Sequence, residues 1–133
     1  MTPSTVRDAI KTALQSVPNL RCYDTIPDSL VPPGAIVGQL SFNWDLVLPK
    51  ASLDEASIDI SVIVGRMNER SAQDKLDAYL AGTGAGSIRT ALQNDPTFGG
   101  SLAGSILQSA NPLSATVSGV EMLAYRFQME LYG

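Results

Sequence analysis

The sequence predicts one α+β domain, a mixed or antiparallel sheet of about four to five strands with helices packed on one face. Three stretches carry that expectation. In 57–64, Ile58, Ile60, Val62 and Val64 alternate with Ser57, Asp59, Ser61 and Ile63, the period of two of a half-buried strand. After Gly65 the period changes. Ala72, Leu76, Tyr79 and Leu80 recur at helical spacing in 71–80, with Gln73, Asp74, Lys75 and Asp77 turned outward. The third stretch is 122–132, where Leu123, Tyr125, Phe127, Met129 and Leu131 line one face of a strand, and Ala124, Arg126, Gln128 and Glu130 the other. Two amphipathic strands and an amphipathic helix can cover one another, which makes Ile60, Val62, Phe127 and Met129 the expected centre of the core.

The other elements fall around these. Thr2-Pro3 is a helix start, a capping oxygen followed by a proline whose missing N–H costs nothing at the first helical position. Val6, Ile10, Leu14 and Val17, joined by Ala9 and Ala13, form one apolar stripe that Pro18 stops. Residues 20–23 read as a short strand, and 24–34, with three prolines and Asp28, as a loop. Residues 35–40 are the next strand. The alternation of Phe42, Trp44, Leu46 and Leu48 with Ser41, Asn43, Asp45 and Val47 extends it, so 35–48 reads as a strand that bends or hairpins, with 41–53 as a possible projecting arm. Small residues in 81–86 break the chain, Ser87 caps a short helix carrying Ile88, Ala91 and Leu92, and Asn94-Asp95-Pro96 ends it. From Pro96 to Val120 there is no charged residue. That stretch, 97–120, suits an uncharged strand plus loop lying against another protein surface, or a mobile loop. The order is α-β-β-β-α-α-β-β across a single domain, 1–133.

Composition narrows the function. A chain of 133 residues with 44% hydrophobic content buries a core without staples. Its charged share of 17% is low for a lone monomer, which hints at surface covered by a partner. Residues 1–50 carry four basic and four acidic groups, 51–100 four and seven, and 101–133 one and two, so no segment is basic enough to neutralise phosphates. The single Cys22 excludes an intrachain disulfide and fits a reducing compartment. No apolar run is long enough to span a membrane, and the amino terminus lacks the features of a signal peptide, which suits assembly in a cytoplasm.

Chemistry finds little to work with. The chain has no histidine, which removes His-based triads and His-containing metal sites, and one cysteine makes no zinc site. Gly82-Thr83-Gly84-Ala85-Gly86-Ser87 resembles a phosphate cradle, but it lacks the Lys-Ser/Thr pair of a P-loop and follows a helix, not a strand. A helix cap and turn explain every residue in it. Asp54 and Glu55 are neighbours on an extended chain and diverge. Asp74 and Asp77, with Lys75 between them, suit a solvated helix face. No constellation meets the roles of a catalytic or metal site, so the expectation is no enzyme and no cofactor.

The order of elements, with "SVPNLRCYDTIPDSLVPPGAIVG", "ASIDISVIVGRMNERSAQDKLDAYL" and "GSIRTALQNDPTFGGSL" before a Tyr/Phe-bearing terminal strand, resembles the tail terminator family of long-tailed bacteriophages, also described as tail completion or tail-to-head joining proteins. The likeness spans nearly the whole chain. It is most marked in "LDAYLAG", the "SIRTAL" helix and the "DPTFGG" turn, where relatives tend to carry a leucine at the position of Phe98. Residues 101–120 depart from the family's pattern. The resemblance implies a small α+β domain that assembles into a ring, a hexamer, on the last ring of the tail tube. There it stops tube polymerisation and docks to the neck of the head. Its partners would be copies of itself, the tail-tube protein and a head-closure or neck protein, at the head-proximal end of the virion tail. DNA would pass through the lumen without specific binding, and an acidic conduit would repel it.

A head-to-tail contact closes into a ring when the rotation per subunit divides a full turn. Interface centres are poor in charge and rich in aromatics, so the expected contact residues lie in the two uncharged stretches: Phe42, Trp44 and Leu46, and Leu102, Ile106 and Leu107. Two other readings remain open. One is another neck or tail protein, a head-closure (stopper) protein or a tube subunit. The other is a small ligand-binding α+β domain using the Gly82–Gly86 turn as an anion site.

Overall fold

In chain order the elements are α1 (Pro3–Leu14), β1 (Arg21–Tyr23), β2 (Gly34–Asn43), β3 (Glu55–Arg66), α2 (Arg70–Leu80), α3 (Ile88–Gln93), β4 (Gly104–Val117) and β5 (Val120–Tyr132). A computed structural model describes residues 2–18, 20–23, 33–43, 55–66, 70–84, 86–117 and 119–133. The strands form one mixed sheet in the order β1-β2-β3-β5-β4, with β1 parallel to β2 and every other pair antiparallel. The helices pack on one face, α1 against β1 and β2, α2 against β3, and α3 against β4. The expected class, element order and one-sided helix layer are those observed.

Register explains the core. On the helix-facing side four rows of side chains cross the sheet: Ala35–Val62–Tyr125–Pro112, Val37–Ile60–Phe127–Ala110, Leu40–Ile58–Met129–Leu107 and Phe42–Ala56–Leu131–Ser105. Ile60 and Val62 are 0% exposed, Phe127 2% and Met129 1%, as the alternation demands. Val6, Ile10 and Leu14 of α1, Ala72, Leu76 and Tyr79 of α2, and Ile88 and Leu92 of α3 close the other side. Each fully buried Ile, Leu or Phe contributes about 1.5–3 kcal/mol, so these rows supply most of the drive to fold.

Three irregularities set the phase of those rows. In β2 the register shifts between Val37 and Leu40, so odd positions face the helices before the shift and even positions after it. Gly38 makes this possible. A Cβ there would sit 2.6 Å from the Asp59 carbonyl oxygen of β3, inside any real contact. The Arg7 guanidinium of α1 donates to Gln39 Oε1 (3.3 Å) at the same bulge. A second shift, between Ile63 and Gly65, lets Val62, Ile63 and Val64 all be buried. A third lies in β4 between Leu107 and Ser109. Single irregular residues of this kind bend a strand and re-aim its side chains.

Several expectations need correction. Ile63 and Ala124 were expected among outward positions, yet they are 6% and 2% exposed. They share a row, Gly34–Ile63–Ala124–Leu113, on the face away from the helices, flanked along the strands by half-buried Ile36, Met122 and Arg126. Helix α1 ends at Leu14, and Val17 is buried in the turn that follows, before Pro18. Thr2 occupies the N-cap position but makes no side-chain capping bond; its carbonyl accepts from Val6 N (3.0 Å). Residues 41–43 of the expected arm are ordinary strand, paired with 55–57. The rest of the arm, 44–53, including Trp44 and Leu46, lies outside the described residues.

Candidate interface surface

The charge-free stretch divides into a turn and an edge strand. Asp95 builds the turn. One carboxylate oxygen accepts from Thr97 N (3.1 Å) and Thr97 Oγ1 (2.7 Å), and the other from Gly99 N (2.8 Å). The Thr97 hydroxyl, followed by the Gly99 and Thr97 amides, holds the Asp95 carboxyl below the ordinary carboxylate range. The clasp fixes Phe98 at φ 47°, an uncommon conformation for a bulky residue, with Gly99 and Gly100 at φ 70° and 91°. Phe98 and Leu102 are thereby driven into the core, 6% and 5% exposed. Leu102 therefore belongs to the subunit's own interior and has no surface to offer a neighbour, which corrects its expected place at an interface.

Strand β4 starts under two ties. Ser105 Oγ donates to the Pro96 carbonyl (2.9 Å), and Leu107 N donates to Gln93 Oε1 of α3 (3.4 Å). Leu107 and Phe42 lie in helix-facing rows, half-buried against the core. They too are directed inward, because the bulges at 38–39 and 108 set which parity faces the helices. Ile106 is the exception. It falls in the row Ser41–Ser57–Glu130–Ile106 on the face away from the helices, and is 54% exposed, the most exposed of the large hydrophobic side chains among the described residues. Of the six residues expected at an interface, the described structure leaves Ile106 alone outward.

The glycine turn is a double cap. Ser87, 1% exposed, accepts from Thr90 N (3.2 Å) and donates to the Ala81 carbonyl, while its own N–H reaches the Gly84 carbonyl (3.2 Å). Gly84 sits at φ 109°, which only glycine adopts readily. The Ser87 and Thr90 hydroxyls and the Ser87 amide are spent on the turn's own carbonyls.

Two cavities flank these elements. One of about 530 Å³ runs between α1 and α3, past Gly84 and Phe98. Its hydroxyls are tied back: Thr12 donates to the Asp8 carbonyl (2.9 Å), Ser16 to Ala13 (2.8 Å) and Thr90 to Gly82 (3.4 Å). The other polar side chains at its wall are Asn94 and the Asp95 carboxylate, the latter already held by Thr97 and Gly99, and they make no catalytic constellation. The second, about 310 Å³, opens beside β4. Cys22 is half-buried, and its Sγ lies 3.7 Å from the Leu20 carbonyl. Burial pushes its thiol up, against an opposing pull from Lys11. Among the described residues no group of three or more His, Cys, Asp or Glu converges to hold a metal, and no helix is long and apolar enough to cross a membrane. Sequence reasoning missed the Asp95 clasp, although Asp-Pro-Thr followed by paired glycines carries its signal, an acceptor two and four residues ahead of free amides. Compared with known proteins, the chain matches no protein-family model and no curated protein.

Proposed function

We infer that the chain is a structural virion protein, a ring-forming tail terminator that caps the tail tube, stops its polymerisation and joins the tail to the head. The reading begins from the resemblance set out above, whose implied architecture agrees with the observed element order and one-sided helix layer. The observation that carries it is Ile106. A β-branched side chain, 54% exposed on the face away from the helices and set in a strand without charge, is surface that a protein contact would use. The tied-back hydroxyls of the larger cavity lend nothing to the ligand-binding alternative.

Mutating Ile106 to Asp tests the reading. The position is exposed, so the isolated domain keeps its melting temperature, within the roughly 0.5 kcal/mol of an ordinary surface change. A carboxylate placed in a desolvated contact costs about 2 kcal/mol or more, and in a closed ring that loss recurs at every contact. The expected phenotype is filled heads beside unattached and overlong tails. Normal particles from a folded Ile106→Asp variant would exclude Ile106 from the ring contact. Unlimited stacking of the wild-type protein into tubes would make it a tube subunit instead.

A further inference from the structure

The outermost strand, β4, has β5 on one side and, among the described residues, no strand on the other. Its first residues are covered by the ties to Gln93 and Pro96. Past the bulge at Gln108 no such tie from α3 is present among the described residues, and Pro112 brings no N–H to any ladder. The usable edge thus runs over 108–111, roughly 13 Å of extended chain. Exposed edges are commonly guarded by charge. This one carries none, because 96–120 is free of charged residues.

The same edge adjoins the 310 Å³ cavity. Phe127, Tyr79, Leu107 and Ala110 form its apolar floor, and the exposed Arg89 and Gln108 stand at its rim. Arg89 is the one charged residue lining it, and has no hydrogen-bond or ion-pair partner among the described residues. In a protein of net charge −4 this spot is locally cationic. Backbone groups along an edge recognise an extended chain, and a socket beside them reads alternate side chains of that chain.

We propose that the edge of β4 at 108–111 and the socket beneath Arg89 form a docking groove for an extended segment of a partner protein, one presenting an aliphatic side chain next to a carboxylate. The segment adds a short strand to the sheet, its aliphatic side chain fills the floor over Phe127, and its carboxylate meets the Arg89 guanidinium. A second copy docking by its own β4 brings no carboxylate to answer Arg89, so the occupant is a different segment. Pro112 keeps the added strand short and prevents edge-to-edge growth. The inference does not depend on the ring reading, since Ile106 lies on the opposite face of the sheet.

The test uses the full chain as bait for a displayed library of random ten-residue peptides, after which the most enriched peptide is synthesised. The expected consensus pairs an aliphatic residue with Asp or Glu, and bound-state amide shifts concentrate at 79–89 and 107–111. N-methylation of alternate peptide amides weakens binding about tenfold or more. Arg89→Glu, at an exposed position and checked for an unchanged melting temperature, weakens it about tenfold or more and turns a second selection toward Lys and Arg. Arg89→Lys retains most of the affinity. No enrichment, a consensus without acidic residues, shifts elsewhere, or indifference to N-methylation or to Arg89→Glu each overturns the proposal. So does a concentration-dependent dimer in sedimentation that Arg89→Glu abolishes, because the occupant is then a second copy.

Discussion

Asp95 shows how one exposed side chain fixes a buried one. Its carboxylate takes three hydrogen bonds from Thr97 and Gly99, and the turn so formed delivers Phe98 to the core. Because its pKa is lowered on folding, its contribution is present above the unfolded carboxylate range and is lost as pH falls through the lowered, folded value. Asp95→Asn keeps an oxygen for Thr97 but puts an NH2 where Gly99 donates. We therefore expect a lower melting temperature than wild type at pH 7, with the gap starting to close below about pH 3.9, where the unfolded carboxyl takes up its proton, and gone once pH falls below the lowered folded value. Thermal scans of both proteins from pH 7 to pH 2.5 check this, and a gap independent of pH would remove the charge from the account. Phe98→Ala, which empties the buried site itself, should cost about 3–5 kcal/mol in a denaturant titration.

At the scale of elements, Gly38 and Ile60 carry the sharpest expectations. Gly38→Ala forces a methyl group onto the Asp59 carbonyl and should cost about 1–3 kcal/mol by opening the β2–β3 ladder. Gly104→Ala, with no neighbour within 4 Å and no positive φ, should be near neutral. Ile60→Asp buries a carboxylate at the centre of the sheet and costs several kcal/mol, enough to unfold a domain of ordinary stability. An unchanged melting temperature for Ile60→Asp would disprove the core assignment. Helices α1, α2 and α3 and strands β3 and β5 were legible because each keeps one period for two turns or more, or for six residues or more. The bulges at 38–39, 64 and 108 were not, since one extra residue leaves the composition unchanged while reversing which parity faces inward. Phe42 and Leu107 were expected at an interface because their stretches lack charge, and lack of charge does not tell a core position from a contact position. Strand β4 was legible only as "strand plus loop", because Ser, Asn, Gly and Pro weaken its alternation and its interior-facing positions include Ser105, Ala110 and Pro112.

For the whole molecule, the absence of charge in 97–120 has two causes that sequence alone does not separate. Part of it, Phe98 and Leu102, is core. Part of it, Ile106 and the 108–111 edge, is outer surface. Among the described residues the helices cover one side of the sheet, and the surfaces left to neighbours, Ile106 on the other face and the 108–111 edge, both lie on β4. The proposed ring uses the first of these surfaces. Electron microscopy of tails assembled with and without the chain tests that claim most directly. With the wild-type protein, the account predicts tubes of uniform length bearing one closed ring at the head-proximal end. Omission of the protein, or its replacement by folded Ile106→Asp, should give overlong, uncapped tubes. Uniform, capped tails assembled in the absence of this chain would contradict it.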